Sequence, residues 1–269
     1  MTSNSRSSNS PEIYILGSSS SGNAYIFRFN HSDGGHSQIL VEAGFPWREL
    51  MMRATLQGVR LSECEACLIT HCHGDHATGA RVVNAHGITV YASKGTLLDE
   101  RVGITPNDHN TLREYFQKFI TPRIKVLPFY VDHDAPEPMG FVIRDTFDDI
   151  NILFINDCKT TKANLSAIPL DLCFVECNYS DQPMHIEYNK AIEEGDVKLM
   201  KRYKRIMEAH MGLSGCRKLL NTLDLSRCRG IFLMHLSDHN ARINEMREKV
   251  GADHPDVKIF VCRKNGGIE

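Results

Sequence analysis

The chain has 269 residues, of which 42% are hydrophobic and 24% are charged, and its formal net charge is −2. This length and composition predict a globular protein with a substantial core, and the lack of any apolar run of about eighteen residues argues against a membrane span. The near-neutral charge disfavours a protein that only coats nucleic acid, although it leaves open an enzyme that holds phosphates through metal ions.

The N-terminus, MTSNSRSSNS, is polar and lacks the apolar segment of a secretory signal. We expect residues 1–10 to form a disordered tail and residues 11–269 to form a single domain. The nine cysteines are an odd number in a chain without an export signal, which predicts reduced thiols and a cytoplasmic location. Cys64 and Cys67 lack a second pair with zinc-site spacing, so we expect buried or incidental thiols there.

Apolar runs and turn residues predict an N-terminal half rich in strands. Predicted strands cover 12–17, 24–29, 37–44, the fully apolar 66–70, and 88–92. The turn-rich stretch 18-SSSSGN-23 joins the first two strands, and its serines and backbone amides could either hold a phosphate oxygen or form a plain tight turn. Helices are predicted over 46–57, with Pro46 in the first turn, and over 77–86.

The second half alternates strands and helices. Strands are predicted at 124–127, 141–144 and 150–155 in a meander, and later at 172–176, 230–236 and 257–261. Helices are predicted over 187–209 with a break at 195–196, over 214–222 with a serine cap, and over 241–250. This order indicates sheets with helices packed outside them.

The stretch 70-THCHGDHATG-79 follows directly on a buried strand. His71 and His73 are two residues apart, so an extended or turning backbone points both imidazoles the same way, toward one cation. Asp75 and His76 begin a helix and point differently, which suits a second cation. A lone loop histidine is usually solvated, but this density of ligand-type residues after a buried strand predicts a metal site.

Three further ligand-type residues stand where predicted strands end, namely His133, Asp157 and His235. Catalytic zinc commonly takes three protein ligands and keeps an open position, so these residues could complete the site. The remaining histidines lie in predicted loops or on polar faces, and we expect them to be solvated. They are His31, His36, His86, His109, His185 and His254, together with His239, which lies nearer the site.

These residues resemble the metallo-β-lactamase superfamily of binuclear metallohydrolases, over nearly the whole chain. The segments 16-LGSSSSGN-23, 39-ILVEAG-44, 175-VECNYS-180, 209-AHMGLSG-215 and 234-MHLSDHN-240 resemble, more narrowly, its YycJ/WalJ-like branch with phage-borne relatives. The resemblance implies an α+β fold, a four-layer αββα sandwich, with two divalent metal ions at one edge.

Carried over residue by residue, the resemblance implies the following ligands: His71, His73 and His133 for one ion, Asp75, His76 and His235 for the other, and Asp157 as the bridge. Such a pair of ions lowers the pKa of a bridging water, so that hydroxide attacks the substrate. Imidazole and carboxylate ligands suit zinc, manganese and iron alike. Glu42 stands where the family has aspartate, a residue that orients the metal loop, so the hydrogen bonding of Glu42 is open.

We assign catalytic roles to Asp75, Glu176 and His210. Nucleases of this superfamily carry a Glu–His pair near the metals, in which the carboxylate orients the imidazole and raises its pKa, making it a better acid near neutrality. The alternative is that Glu176 is a surface residue at a strand end and His210 a helix cap. The basic stretch 198-KLMKRYKR-205 leads to His210 and could contact phosphates, or could be a solvated helix face.

The sequence therefore predicts a metal-dependent phosphodiesterase acting on nucleic acid. The resemblance to the YycJ/WalJ-like branch implies, as the sharper form, a 5′-to-3′ DNA exonuclease. A cyclic-nucleotide phosphodiesterase of the phage anti-defence type is the alternative. A lactone or thioester hydrolase is less favoured, and the missing signal disfavours a secreted β-lactamase. We expect no membrane partner, and a homodimer is compatible with the sequence.

Overall fold

The computed structural model describes residues 10–269, so the tail predicted over residues 1–10 lies outside the described part, apart from Ser10. Two β-sheets form the centre of the described chain. The first has the strand order β1-β2-β3-β4-β5-β6. Its strands are β1 Glu12–Ser19, β2 Gly22–Asn30, β3 His36–Val41, β4 Ala66–Leu68, β5 Thr89–Ser93 and β6 Thr111–Leu112.

The second sheet has the strand order β13-β12-β11-β10-β9-β8-β7. Its strands are β7 Lys118–Phe119, β8 Ile124–Tyr130, β9 Met139–Asp145, β10 Ile150–Ile155, β11 Leu172–Glu176, β12 Gly230–Met234 and β13 Lys258–Val261. Strands β10 to β13 pair in parallel, whereas β8, β9 and β10 form an antiparallel meander.

Eight α-helices are assigned within residues 10–269. They are α1 Trp47–Leu56, α2 Gly74–Ala77, α3 Ala80–Ala85, α4 Lys94–Leu98, α5 Asp181–Glu193, α6 Val197–Ala209, α7 Leu213–Leu220 and α8 Ile243–Asp253, and a 3₁₀ turn covers Leu61–Glu63. In this part of the chain no helix is long and apolar enough to cross a membrane.

The two sheets pack face to face through an aromatic core. Tyr25 of β2 meets Phe154 of β10 with 5.2 Å between ring centroids, and Phe27 meets Phe174 of β11 at 4.9 Å. All four rings are fully buried, so alternate side chains of each strand fill the space between the sheets. Such edge-to-face and tilted pairs add to the apolar burial.

The outer face of each sheet is covered by helices. Leu50 and Ala54 of α1 and Val83 of α3 share a core with the first sheet. Cys216 of α7 and Met246 of α8 share a core with the second sheet. Helix, sheet, sheet and helix therefore form four layers, which confirms the predicted αββα sandwich and its α+β class.

Most predicted elements are present, with bounds that shift by a few residues. The predicted serine cap on the helix at 214–222 is wrong, because α7 begins at Leu213 after Gly212, and Ser214 Oγ instead donates to Asp181 Oδ2 at 2.8 Å. The helix predicted over 77–86 is shorter, since α3 covers Ala80–Ala85, and a separate short helix, α2, ends at Ala77. The sequence did not predict α4, β6 or β7, which are short.

All nine cysteines are buried and free, as expected for incidental thiols. The prediction that every histidine outside the site is solvated is wrong for His31, whose side chain is fully buried. The chain turns back after β2 there, and His31 fits between the two sheets, where it contacts Asp145.

Candidate metal centre

The candidate site residues are collected at one edge of the sandwich, where parallel strands end. β3 is followed by Glu42, β4 by the metal-binding loop (residues 71–76), β10 by Asp157, and β12 by His235. The carboxyl ends of parallel strands meet at one sheet edge, which is where ligands commonly bind in such sheets. Residues as far apart in the chain as Glu42 and His235 are brought together in this way.

Three of these strand-end residues have a left-handed backbone. The φ angles are 63° at Glu42, 44° at Asp157 and 53° at His235. A non-glycine residue in this region is uncommon and costs free energy, which the surrounding hydrogen bonds must offset. The sharp turn directs each side chain back across the end of its own strand and into the site.

The first cluster comprises His71, His73 and His133, whose ring nitrogens could hold one metal ion. His133 Nε2 lies 3.1 Å from His73 Nδ1, and His133 Nδ1 lies 3.0 Å from the carbonyl of Ala209. Since a carbonyl only accepts, His133 carries its proton on Nδ1 and leaves Nε2 free to ligate. Burial and the neighbouring His76 hold the pKa of His71 well below its ordinary value, so His71 is a neutral nitrogen donor.

The second cluster comprises Asp75, His76, Asp157 and His235. Asp75 Oδ2 lies 3.4 Å from His76 Nε2 and 3.6 Å from His235 Nε2. Asp157 Oδ2 lies 3.3 Å from His76 Nε2, and it is also 4.0 Å from His71 Nε2 and 3.9 Å from His133 Nε2. One oxygen of Asp157 thus stands between the two clusters, which is where a bridging ligand has to be.

Glu42 orients one histidine of each cluster, namely His76 directly and His71 through Thr70. Its carboxylate is fully buried, accepts the hydroxyl hydrogen of Thr70, and lies 3.3 Å from His76 Nδ1. Thr70 Oγ1 in turn lies 2.9 Å from His71 Nδ1. Glutamate in this position therefore does what the family's aspartate is expected to do, by orienting histidines of the metal-binding loop.

Glu176 and His210 form a hydrogen-bonded pair beside the clusters. His210 Nδ1 lies 2.7 Å from Glu176 Oε1, and the same oxygen lies 3.0 Å from His235 Nδ1. The other oxygen, Oε2, accepts backbone N–H groups of Cys158 at 2.7 Å and Met211 at 3.1 Å. Glu176 is fully buried and is therefore not the surface residue of the alternative interpretation.

His210 follows directly on α6 and is partly open, with 18% of its side chain exposed. Burial opposes its protonation, but the carboxylates of Glu176 and Asp157 outweigh that effect and raise its pKa above the ordinary value. Because Nδ1 is engaged by Glu176, Nε2 is the nitrogen available to a substrate.

The basic helix lies at the rim of the site, as predicted. The five cations of α6 are exposed: Lys198, Lys201, Arg202, Lys204 and Arg205. Arg205 Nε lies 3.5 Å from Asp134 Oδ2, and Asp134 Oδ1 lies 3.3 Å from His133 Nε2. A cationic helix face and the metal clusters are therefore linked through one partly exposed carboxylate.

The donor set fits divalent metal ions. His71 Nε2 and His235 Nε2 are buried and have no hydrogen-bond partner, although buried polar atoms normally have one. Burial opposes protonation of His76 and His235, yet the facing carboxylates raise both pKa values well above normal, so this pocket favours positive charge. Imidazole nitrogens and carboxylate oxygens at such spacings are the ligands of zinc and related metals.

A family model described as "Beta-lactamase superfamily domain" matches residues 37–236. That range is most of the chain and contains every residue of the two clusters together with Glu176 and His210. The chain belongs to the β-lactamase superfamily. Its sandwich is the metallo-β-lactamase fold, and this superfamily protein is a metal-dependent hydrolase.

Individual relatives agree with this assignment. The exodeoxyribonuclease WalJ of Streptococcus pneumoniae, strains D39 and R6, is 24% identical over 243 residues, which cover 84% of this chain and 81% of WalJ. Unliganded yeast PDE1 has a TM-score of 0.66 at 15% identity and covers 97% of this chain and 99% of its own. Zinc-bound PqqB from Methylobacterium extorquens has a TM-score of 0.63 at 14% identity, and the match covers 96% of this chain and 99% of PqqB. At these identities the structural likeness establishes the fold alone.

Sequence reasoning missed several residues that orient the superfamily site. Asn23 Nδ2 lies 3.1 Å from His76 Nε2, Ser18 Oγ accepts the backbone N–H of His235 at 2.9 Å, and Asn178 Nδ2 donates to the carbonyl of His235 at 2.7 Å. Ser18 and Asn23 belong to the SSSSGN turn, so at least part of that turn braces the site. No local spacing could reveal these roles, because each partner is more than fifty residues away.

Proposed function

We propose that the protein is a metal-dependent phosphodiesterase acting on nucleic acid, and more specifically a 5′-to-3′ DNA exonuclease. The observation that carries the proposal is the Glu176–His210 pair, joined at 2.7 Å beside two metal-ligand clusters. Hydrolysis of a phosphodiester expels an alkoxide that needs a proton, and a histidine held by a carboxylate is suited to give one. The similarity to the exodeoxyribonuclease WalJ supports the DNA substrate.

Two divalent ions, zinc or manganese or else iron, would be held by the two clusters. His71, His73 and His133 would hold one, Asp75, His76 and His235 the other, with Asp157 shared between them. Such a pair supplies a nucleophile from water at neutral pH and neutralises charge on the phosphate. Asp75, at the mouth of the second cluster, would also help to position the attacking water.

The chain's own side chains orient the reaction. Glu176 accepts from Nδ1 of His210 and so fixes the tautomer in which Nε2 faces the substrate. A protonated His210 would then give its Nε2 proton to the leaving oxygen. The two backbone N–H groups on Glu176 Oε2 hold that carboxylate in place, so the donor is preorganised before the substrate binds.

A cleft of about 520 Å³ lies beside the metal-binding loop, where the backbone N–H of Met139 donates to the carbonyl of Thr70 at 3.0 Å. Lys94, Arg113 and Tyr130 line it, but so do the acidic Asp108, Glu114 and Glu137. This mixed charge does not favour a phosphate backbone, so the phosphate contacts that we propose are the cations of α6. The cations of α6 border the site on the His210 side.

Two coarser expectations stay predictions. One is that residues 11–269 form a single domain, which the shared core between the sheets favours. The other is a cytoplasmic location, which the nine free cysteines favour.

The proposal is tested by offering the protein, loaded with Mn²⁺ or Zn²⁺, a panel of substrates. The panel contains 5′-labelled and 3′-labelled duplex DNA, RNA of the same sequence, 2′,3′- and 3′,5′-cyclic nucleotides, and nitrocefin. Stepwise release of nucleotides from the 5′ end of DNA is expected. Turnover of cyclic nucleotides without DNA cleavage would instead favour the cyclic-nucleotide alternative, and turnover of nitrocefin alone would contradict both.

A further inference from the structure

A third group of metal-ligand side chains lies away from the candidate metal centre. His31, Asp145 and Asp148 each offer one ligand atom, and these atoms lie within 4.8 Å of one another. Their side chains are 0%, 1% and 14% exposed, so this end of the sandwich holds two carboxylates and an imidazole almost out of water. We call these three residues the distal cluster.

The distal cluster is at the opposite end of the sandwich from the metal centre. β2 begins next to Asn23, whose amide contacts His76, and ends before His31. Eight residues of extended chain at about 3.3 Å each separate the two by roughly 26 Å. The distal cluster therefore shares no residue with the proposed catalytic apparatus.

Two polar atoms of the distal cluster face inward without a partner. His31 Nδ1 and Asp145 Oδ2 are buried and make no hydrogen bond. His31 Nδ1 lies 3.4 Å from Asp145 Oδ2 and 3.6 Å from Asp148 Oδ2, so both oxygens converge on the same ring nitrogen. Buried polar atoms normally have a hydrogen-bond partner, and a cation between these three atoms would supply one.

Every other polar atom of these side chains is already held. His31 Nε2 lies 3.2 Å from Ser37 Oγ, and Asp145 Oδ1 accepts the backbone N–H of Phe147 at 2.9 Å. Asp148 accepts from Ser32 twice, from the hydroxyl at 2.8 Å and from the backbone N–H at 3.2 Å. A histidine that is hydrogen-bonded through Nε2 can present Nδ1 as a metal ligand, and metal-bound histidines are commonly held in this way through their other ring nitrogen.

The charge and the spacing both point to a cation. The guanidinium of Arg123, which lies near Asp145 and Asp148, is engaged in two hydrogen bonds to Asp33, so two carboxylates face a single imidazole. Zinc bonds of 2.0 to 2.2 Å in a tetrahedron place neighbouring donors about 3.3 to 3.6 Å apart. Calcium requires six to eight oxygens, and the imidazole disfavours it.

We propose that His31, Asp145 and Asp148 form a separate site for a zinc-class divalent cation, which joins the two sheets at this end of the sandwich. His31 follows β2 of the first sheet, whereas Asp145 ends β9 and Asp148 lies in the turn before β10 of the second. The cation would hold the two layers together. The partly exposed side of Asp148 leaves room for water as a fourth ligand.

The test compares zinc content in four proteins, namely the native chain, His31→Gln, Asp148→Asn and the control Asp149→Asn. The control removes a carboxylate from the same turn, where it pairs with Arg144 and Arg227, without changing a proposed ligand. Each protein is dialysed against buffered Zn²⁺ and measured by mass spectrometry of the metal. The native chain and the control should bind one more zinc per chain than either ligand variant, whatever the catalytic centre binds.

A second measurement tests the link between the sheets. Removal of metal with EDTA should lower the melting temperature of the native chain by more than that of Asp148→Asn, because only the native chain loses the distal ion. Equal zinc content in all four proteins would overturn the proposal and would leave His31 as a direct side-chain contact of the two carboxylates. Asp148 is partly exposed, so its variant serves as the test if His31→Gln does not fold.

Discussion

Replacement of His210 by glutamine should separate protonation of the leaving group from attack of water on the phosphate. The proton donor is needed when the leaving group is the sugar oxygen of a nucleotide, but not when it is p-nitrophenolate, which leaves readily as an anion. Loss of a general acid lowers kcat on DNA by about 10² to 10⁴, or roughly 3 to 5 kcal/mol. On bis-p-nitrophenyl phosphate the same variant should lose far less.

The fold should tolerate this change. Glu176 keeps its bonds from His235 Nδ1 at 3.0 Å, from Cys158 N at 2.7 Å and from Met211 N at 3.1 Å. The lost bond is worth about 1.5 to 3 kcal/mol where a charged group takes part. Position 210 is partly exposed, and a glutamine amide can still donate to Glu176, so the cost should be at the low end of that range.

The assay measures kcat on both substrates and zinc content for the native chain, His210→Gln and His239→Gln. His239 is exposed and belongs to neither metal cluster, so its variant controls for the loss of a histidine near the site. If His210→Gln kept its zinc and lost the same factor on both substrates, the role of His210 as proton donor would be refuted.

Three further predictions concern the surroundings of the site. Glu176→Gln would place an amide N–H against the imidazole N–H groups of His210 and His235. Zinc binding, measured by competition with a chelator, should weaken about 10- to 100-fold, and an unchanged zinc affinity would contradict this prediction. In the double variant Arg202→Glu, Arg205→Glu, the KM for DNA should rise and its dependence on salt should weaken, because two phosphate contacts are lost. The KM for bis-p-nitrophenyl phosphate should stay the same. An unchanged KM for DNA would argue against α6 as a phosphate contact. Gly44→Ala would drive its Cβ into the carbonyl oxygen of Asp75 in the metal-binding loop, so zinc content and melting temperature should both fall. The control Gly251→Ala, whose Cβ would have its nearest neighbour at 3.7 Å, should leave zinc content unchanged and keep or raise the melting temperature.

The elements that could be predicted most closely are those whose pattern is dictated by burial. β10 and β11 have the bounds that their apolar runs predict, because strands buried on both faces need apolar residues throughout. The break between α5 and α6 falls near Gly195, whose φ of 69° favours glycine. The errors come where a distant contact decides, as in α7, where Ser214 donates to Asp181 and does not cap its own helix.

The sequence by itself determined which side chains could bind metal and that they stand at strand ends, since both follow from residue type and local periodicity. Only the tertiary structure decided how they meet. The left-handed backbone at Asp157 and His235 directs these side chains into the site, and the hydrogen bond from Ala209 fixes the tautomer of His133. The sequence also pointed to a solvated His31, whereas packing of the second sheet against β2 buries it beside two carboxylates. Burial and hydrogen-bond partners depend on residues far apart in the chain, so no local pattern contains them.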